Sequence, residues 1–411
     1  MSGLISVAEA RRSVLSSCRP LGPVRVPLSD ALGLVTARPV VSGEAVPPFA
    51  NSSMDGYALR AGDVAGAPTR LRVVGGLMAG DDPGGVVVGQ GEAVRIMTGA
   101  AVPAGADAVC MVEHTRAGDG WVLIEEAVGP GTNVRCPGED IAAGEEVFAA
   151  GESLGPAHIG VLASLGVAQV DVFPRPRVGV VSTGDELVAG TGGLAPGKIR
   201  DSNRPGLLAR LRADGFEPVD LGWAGDEGEA LADVLVDAAR TCDAVISSGG
   251  VSVGDRDMVK IVLDKLGGQQ AHWWQVAVRP GKPFAFSTLP PRSAPVFGLP
   301  GNPVSALVSY ELFARPALRL MAGHHSLERP RLSAVAASDM RRQPDGRLHL
   351  VRVAVKAGPR GLEARPSGGQ GSHQLRALAA ANGLAFLPDG EGVTAGEQVD
   401  VWVLDVDRLS P

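Results

Sequence analysis

From residue 177 onward, short apolar runs alternate with stretches whose apolar positions recur every three or four residues. This alternation predicts strands and helices in turn, and therefore a mainly parallel sheet with helices on both faces. We predict a doubly wound α/β domain over residues 177–326. The predicted strands are RVGVVST, PVDLGWA, DAVISSGG, WWQVAV, PFAFSTL and PVFGL. The predicted helices are RPGLLARLRADG with Ser202 as its cap, EGEALADVLVDAARTC, DMVKIVLDKLGG and NPVSALVSYELFARPALRLMAG.

The segments on either side of this domain have a different pattern, in which short predicted strands dominate. Residues 46–140 contain short β-like runs separated by glycine-rich turns, such as RLRVVG and GWVLIEEA, and indicate a β-rich module. Helices are predicted at 4–17, where Ser6 and Glu9 have the spacing of a capping box, and at 153–166. Residues 327–411 return to short strands and favour a small β-barrel. The predicted domains are 1–45 with 141–176, 46–140 inserted between them, 177–326 and 327–411.

Composition narrows the class of protein. The chain has 411 residues, 45% of them hydrophobic and 20% charged, which is typical of a globular protein of several domains. Its net charge of −7 makes nucleic acid an unexpected partner. No long apolar run and no secretory signal is visible, so we expect no membrane association and a cytoplasmic location. The four cysteines form no C-x-x-C pair, which disfavours a zinc cluster or a disulfide framework.

Candidate chemistry lies in the loops that follow the strands of the α/β domain, because ligands bind open α/β sheets beyond the carboxyl ends of their strands. The first loop is STGDELV at 182–188. Thr183 and Glu186 have capping-box spacing, but the following VAGTGGLAPG cannot continue a helix. A functional acid and a simple cap therefore both remain open for Glu186.

The second loop is SGGVSVGDRD, which is rich in glycine and carboxylates. Gly249, Gly250 and Gly254 permit close approach of the backbone to a ligand, and Asp257 directly precedes a helix. Backbone N–H groups of such a loop can hold an anion, and a carboxylate can bind Mg²⁺. The alternative is an aspartate N-cap on a glycine-rich turn.

Two further loops complete the set. RPGKP presents Arg279 and Lys282 in a rigid turn, either as cations for an oxyanion or as a solvated β-turn. GLPGNPVS leads from a strand into a helix that Asn302 or Ser305 can cap, so it is either an anion site or only a cap. Together, the four loops predict a Mg²⁺-dependent enzyme that acts on a phosphorylated ligand.

Taken in order, seven motifs resemble one family: NSSMDGYALR, RIMTGAAVPAGADAVCMVEHT, VVSTGDELV, IRDSNRPGLLARL, ISSGGVSVGDRD, RPGKPFAF and GLPGNPVSALVSYELF. The chain is similar, from about residue 5 to residue 405, to the molybdopterin molybdenumtransferases, the MoeA and gephyrin E-domain family. The resemblance implies a cytoplasmic homodimer that inserts molybdenum from molybdate into adenylylated molybdopterin and releases molybdenum cofactor and AMP. It also implies Mg²⁺ as cofactor, with molybdopterin adenylyltransferase and molybdoenzyme chaperones as partners.

The resemblance assigns roles to individual positions. The acidic or catalytic positions are Asp55, Asp140, Glu186, Asp226, Asp257 and Lys282, of which Glu186 and Asp257 are the expected metal ligands. The expected cofactor- and substrate-binding positions are Thr183, Gly184, Ser248, Gly249, Gly250, Gly254, Arg279, Pro283, Pro300, Asn302, Ser305, Arg352 and Ser372. Because Asp55 and Asp140 lie in the β-rich module, the family architecture implies a site formed across the dimer interface.

The chain departs from the family pattern at two places, where Gln275 and Arg279 stand at positions at which lysine is common. Arginine keeps the charge and changes its geometry, whereas glutamine loses the charge, so substrate affinity or metal preference could differ. Alternatives are adenylylation of molybdopterin, a non-catalytic dimeric scaffold of the gephyrin type, and a paralogue that handles tungstate. The extra β-rich domains argue against the first, and the absence of a fused second catalytic domain and long linker argues against the second.

Overall fold

The computed structural model of the chain describes residues 4–188, 190–225, 228–251, 258–267, 271–358 and 361–409. The chain divides into two compact units. The first consists of Met1–Val24, Gly33–Ala37 and Asp171–Pro411, and the second of Arg25–Leu32 and Arg38–Val170. No helix in the described ranges is long and apolar enough to cross a membrane.

The second unit is rich in β-structure, as the sequence predicts. Its main sheet has the strand order Ala108–Met111, Gly56–Leu59, Glu92–Ile96, Thr69–Leu77, Trp121–Ile124 and Thr115–Gly118. Shorter strands pair as Asn51–Ser52 with Val134–Arg135 and Val40–Val41 with Glu146–Phe148. The predicted second helix is Pro156–Ser164, which begins at a proline because the first turn of a helix has no use for its missing N–H.

The first unit begins with the predicted helix, Val7–Ser16, whose start is a capping box. The Ser6 hydroxyl accepts from the Glu9 N–H at 3.1 Å, and the Glu9 carboxylate accepts from the Ser6 N–H at 2.9 Å. Ala10 and Val14, four residues apart on one helical face, are fully buried. This helix therefore packs its apolar face against the α/β core.

The centre of the first unit is the predicted α/β domain. The strand order of its sheet is Glu217–Ala224, Arg177–Thr183, Ala244–Ser248, Ala294–Leu299, Pro283–Leu289 and His272–Gln275. The first four are parallel to one another, and Pro283–Leu289 runs antiparallel to both of its neighbours, Ala294–Leu299 and His272–Gln275. Every residue of Ala244–Ser248 is buried, as expected for a strand covered on both faces. The helices are Asn203–Ala213, Gly228–Thr241, Met258–Gly267, Pro303–Ser309 and Arg315–Met321.

Two details of these helices differ from the prediction. Ser202 stands before the helix Asn203–Ala213 but makes no side-chain cap; the Asp201 carboxylate accepts from the Arg204 N–H instead. The predicted long helix after Asn302 contains a π-helical turn, Tyr310–Ala314. Pro316 follows that turn and has no N–H to donate to an earlier carbonyl, so the widened turn lies where regular bonding is interrupted.

The C-terminal segment forms the predicted barrel. Within the described residues, five strands close in the order Leu348–Gly358, Gly361–Pro366, Arg331–Ala336, Gln398–Val403 and Gly383–Leu387. The short strand Val278–Arg279 pairs with the first of these and connects the barrel to the α/β domain. Other elements are Val24–Pro27, Val35–Thr36, Leu187–Val188, Ile199–Arg200, Gln169–Phe173, Met340–Arg341, Gly392–Val393 and the helix Leu375–Ala380. The predicted fold class is therefore confirmed, whereas the boundaries of four separate domains stay a prediction.

Candidate active site

A cleft of about 510 Å³ opens at the carboxyl ends of the parallel strands, where the topology of an open α/β sheet places ligands. Strands Arg177–Thr183 and Ala244–Ser248 end in it, and helix Pro303–Ser309 begins beside it. Its lining is Ser182, Thr183, Glu186, Leu187, Ile199, Arg200, Asp201, Ser202, Asn203, Ser248, Gly301, Asn302, Pro303, His373 and Leu375. The cleft thus brings together three of the four predicted loops and part of the barrel segment.

The floor of the cleft carries hydroxyl groups that lack partners. Ser182 is fully buried and Thr183 is 3% exposed. Neither hydroxyl oxygen has a hydrogen-bond partner among the residues that the structure describes. A buried hydroxyl without a partner costs about 1–3 kcal/mol, so a ligand that bonds to these groups recovers part of that cost. The pair is therefore a candidate set of donors for a polar ligand in the cleft.

The glycine loop lies directly against Thr183. Gly249 has φ +99°, and a Cβ at that position would lie 2.4 Å from the Thr183 carbonyl oxygen. Gly250 has φ +64°, and its Cβ would lie 2.6 Å from a methyl group of Val259. Only glycine fits both the backbone conformation and the space. The close contacts of Gly249 and Gly250 are thus with Thr183 and Val259, and the approach of this backbone to a ligand stays a prediction.

Asn203 joins three loops at the edge of the cleft. Its side-chain N–H₂ donates to the Ser248 hydroxyl at 2.8 Å and to the Gly301 carbonyl at 2.7 Å. Asn203 begins a helix, so its position is fixed by regular backbone structure. Sequence reasoning missed Asn203 as a site residue, although its motif, IRDSN, was recognised. The missed signal was an amide side chain placed two residues after the helix-capping Asp201.

Glu186 lies on a turn that several hydrogen bonds to backbone carbonyls stabilise. The Gly184 carbonyl accepts from the Leu187 N–H at 3.1 Å, and the Glu186 carbonyl accepts from the Ile199 N–H at 2.8 Å. The Lys198 ammonium donates to the Asp185 carbonyl. The strand Leu187–Val188 follows Glu186 directly, so the interpretation of Thr183 and Glu186 as a helix cap is excluded. In the described part of the chain, the Glu186 carboxylate has no hydrogen bond or ion pair and faces the cleft.

The RPGKP turn lies against the helix that begins at the cleft. A Cβ on Gly281 would lie 3.0 Å from the Ser309 hydroxyl oxygen and 3.5 Å from the Ser305 carbonyl oxygen. Lys282 is half-buried and Arg279 is exposed. Ser305 is buried in that helix, and Pro283 begins the strand after the turn. Asn302 and Pro303 line the cleft, whereas the turn contacts a later part of the same helix. Neither Arg279 nor Lys282 lines the cleft.

The barrel contributes one loop to the cleft and fixes it with an arginine. Arg352 is 1% exposed, and its guanidinium donates to the carbonyls of Gly369 and Gly371. Burial lowers the pKa of Arg352 from its ordinary value, but a guanidinium remains charged at neutral pH. The Ser372 carbonyl accepts from the Val304 N–H at 3.1 Å. Arg352 therefore acts on the shape of this loop, and its Nε has no partner within the described residues.

The remaining predicted residues lie elsewhere. Pro300 is buried and precedes Gly301 at the cleft. Asp226, Gly254 and Asp257 lie outside the described residues. Asp55 and Asp140 belong to the second compact unit. Asp55 accepts from the N–H and hydroxyl of Thr98, both at 2.8 Å, and these bonds lower its pKa.

Comparison with known proteins relates the chain to a known protein family. Family models match the MoeA N-terminal region (domains I and II) over residues 5–166, a probable molybdopterin-binding domain over 179–320, and the MoeA C-terminal region (domain IV) over 333–404. The chain is 40% identical to molybdopterin molybdenumtransferase 2 of Mycobacterium tuberculosis over 414 residues, covering 97% of this chain and 99% of the relative. It is 38% identical to molybdopterin molybdenumtransferase of Haemophilus influenzae, covering 97% and 98%.

A solved structure agrees with these relatives. The molybdopterin biosynthesis MoeA protein of Pyrococcus horikoshii superimposes with a TM-score of 0.84 at 28% sequence identity, covering 98% of this chain and 100% of that one. Family, identity and fold are thus consistent over nearly the whole chain. The chain therefore belongs to the molybdopterin molybdenumtransferase family, whose members are transferases of molybdenum cofactor biosynthesis.

Proposed function

We propose that the chain inserts molybdenum from molybdate into adenylylated molybdopterin in the cleft, releasing AMP and molybdenum cofactor. The observation that carries this proposal is the pair of buried, unpartnered hydroxyls of Ser182 and Thr183. Phosphate and molybdate oxygens accept hydrogen bonds, so both substrates supply what these hydroxyls lack. Asn203 holds the neighbouring loops in place, so the donors are arranged before a substrate arrives.

Mg²⁺ is the cofactor that the proposal requires, and the described donors suit it. Glu186 offers a carboxylate, and Mg²⁺ prefers oxygen ligands, taking one or two carboxylates together with substrate phosphates. Among the residues that the structure describes, no three His, Cys, Asp or Glu side chains form a metal site by themselves. Substrate oxygens would therefore complete the coordination beside Glu186 and, as the resemblance implies, Asp257. Bound Mg²⁺ would neutralise charge on the pyrophosphate.

The chain's own residues then position the reactants. Ser182 and Thr183 donate to oxygens of the bound anion, and the glycine loop at Gly249 packs against Thr183 and so helps to fix its position. Arg352 maintains the barrel loop that closes one side of the cleft. Exclusion of water by that loop would strengthen each of these polar interactions. Lys282 and Arg279 remain proposed as cations for an oxyanion, and Asp55 and Asp140 remain acidic positions that the family resemblance assigns.

Assembly and location belong to the same proposal. We expect a cytoplasmic homodimer that receives adenylylated molybdopterin from an adenylyltransferase. Light scattering of the purified protein tests the dimer directly, independently of activity. Adenylylation itself is tested by ATP consumption with molybdopterin, which this proposal expects to be absent.

The proposal is tested by AMP release from adenylylated molybdopterin in the presence of Mg²⁺ and molybdate. Glu186→Gln should slow molybdate-dependent release by at least about tenfold, because the cleft loses its described carboxylate ligand. Glu217→Gln is the matched control, since Glu217 is exposed at the opposite end of an adjacent strand. Asp257→Ala should behave like Glu186→Gln.

Three outcomes would contradict the proposal. Absence of molybdate-dependent release by the folded wild-type protein would reject the reaction. Equal rates for Glu186→Gln and Glu217→Gln would reject the role of the cleft. Release that depends on tungstate but not on molybdate would favour the tungstate alternative.

A further inference from the structure

Trp223 is a large aromatic residue that is not part of the buried core, so core packing does not explain its presence. It lies on the edge strand Glu217–Ala224 and is 46% exposed. Its indole N–H nevertheless has a specific partner, since it donates to the Gly184 carbonyl at 2.8 Å. A phenylalanine would cover a similar apolar area but could not make this bond. The distinguishing property of the residue is therefore its hydrogen bond.

The acceptor of that bond belongs to the turn that carries Glu186. The Gly184 carbonyl also accepts from the Leu187 N–H, which closes the turn. Gly184 has φ +134°, and a Cβ there would lie 2.6 Å from a carboxylate oxygen of Glu186. The carboxylate thus lies over the same peptide whose carbonyl Trp223 binds. Fixing that peptide restricts the positions open to Glu186.

Local strand geometry directs Trp223 toward this turn. Trp223 is the parallel neighbour of Ser182, and the register shifts between Val180 and Ser182. Gly222, with φ +77°, precedes Trp223 at the irregularity. An irregularity of this kind re-aims the side chain that follows it and is typical of strand ends beside functional sites. The edge strand is therefore shaped to bring the indole to Gly184.

We propose that Trp223 is a positioning residue, whose indole N–H fixes the turn Gly184–Leu187 and so holds Glu186 in the cleft. Its effect on the reaction rests on the proposed function, but its effect on the turn does not. Trp223 touches the backbone of the turn and acts through Glu186. Sequence alone gives no sign of this role, because strand pairing and the irregularity bring the two segments together.

Trp223→Phe tests the proposal, with Trp273→Phe as matched control. Trp273 lies on the opposite edge strand of the same sheet, His272–Gln275, and its indole N–H donates to Asp264 at 2.9 Å. In hydrogen–deuterium exchange of the free protein, the Leu187 amide should exchange about threefold to tenfold faster in Trp223→Phe, the range expected for one lost hydrogen bond. It should be unchanged in Trp273→Phe. Equal exchange in both variants would overturn the proposal.

A kinetic measurement tests the consequence for the site. Trp223→Phe should raise the Mg²⁺ concentration for half-maximal AMP release by about threefold to tenfold and leave that for molybdate unchanged. A smaller amount of folded enzyme would lower the maximal rate but would not change the Mg²⁺ or molybdate concentration at which AMP release is half-maximal. An unchanged Mg²⁺ half-saturation in an active enzyme would refute the action through Glu186. If the wild-type protein releases no AMP, the proposed function fails, and the exchange measurement still decides whether Trp223 fixes the turn.

Discussion

Replacing Arg329 by methionine is expected to destabilise the protein, because this arginine holds two buried carboxylates at once. Its Nε donates to Glu311 at 2.8 Å, and its terminal nitrogen donates to Asp214 at 2.9 Å and to Glu311 at 3.1 Å. The exposed fraction of the side chain is 0% for Glu311 and 5% for Asp214. Neither carboxylate can turn to water when its partner is removed.

The magnitude follows from that burial. Breaking a buried ion pair by removing one partner costs about 3–5 kcal/mol, because the remaining charge stays desolvated. Arg210 and Arg315 also contact the two carboxylates and still compensate them in part. We therefore expect about 3 kcal/mol, the lower end of the range. For a unit of this size, that corresponds to a decrease in Tm of roughly 6–12 °C.

Differential scanning calorimetry at pH 7 measures this change. Arg240→Met is the matched control, since Arg240 is 64% exposed and makes only an i,i+3 pair with Asp237 at 3.5 Å. An exposed pair of this kind contributes about 0.3–0.5 kcal/mol. If Arg329→Met melts within 2 °C of Arg240→Met, which is about 0.5–1 kcal/mol on the same scale, the ion cluster does not stabilise this part of the fold as argued.

Three further predictions concern the cleft and the ion cluster. Asn203→Ala should destabilise the protein by about 1–3 kcal/mol by leaving its two acceptors unpaired, and should lower the rate of AMP release; chemical denaturation and the release assay check both. Gly249→Ala should lower the free energy of unfolding by about 2 kcal/mol or more, because Gly249 has a positive φ and lies against Thr183. Gly193→Ala should be tolerated, because a Cβ there meets nothing within 4 Å, and the denaturation midpoints of the two variants test this difference. Burial raises the pKa of Asp214. The hydrogen bond from Arg210 and the positive charges of the neighbouring arginines outweigh that effect and lower the pKa from 3.8 to about 2. Because the folded-state pKa is depressed, this contribution, on the order of 2 kcal/mol, is present above about pH 4 and is lost as pH falls toward 2. Denaturation at pH 5, 3 and 2 should show this loss of stability, and the loss should be smaller in Asp214→Asn.

The sequence predicts the elements well wherever a local pattern decides them. The run Ala244–Ser248 contains only buried residues and is bounded by turn residues, so its length and composition identify a buried strand. Ser6 and Glu9 identify the start of the first helix because both halves of a capping box are local. For Glu186, the local sequence is compatible with both a functional acid and a helix cap, and the three-dimensional turn excludes the cap.

What sequence could not predict depends on contacts between distant residues. Ser202 and Asp201 are both good capping residues, and the choice of Asp201 depends on the backbone conformation at Ser202. The burial of Glu311 runs against the usual exposure of glutamate and follows from its pairing with Arg329, eighteen residues away. Asn203 became a site residue only when folding brought the loops of Ser248 and Gly301 to it.

The proposed reaction requires an acidic chain to bind anionic substrates in the cleft. The net charge of −7 gives an unfavourable overall field, and Glu186 adds a negative charge inside the site. Arg200 lines the cleft, but its guanidinium donates to the carbonyls of Gly190 and Gly192. The described donors to a ligand are then mainly neutral groups such as Ser182 and Thr183, which bind by geometry rather than by charge. A bare oxyanion meets the repulsion of Glu186, whereas an oxyanion that arrives with a divalent cation does not, so in the proposed reaction the same carboxylate makes binding conditional on the metal.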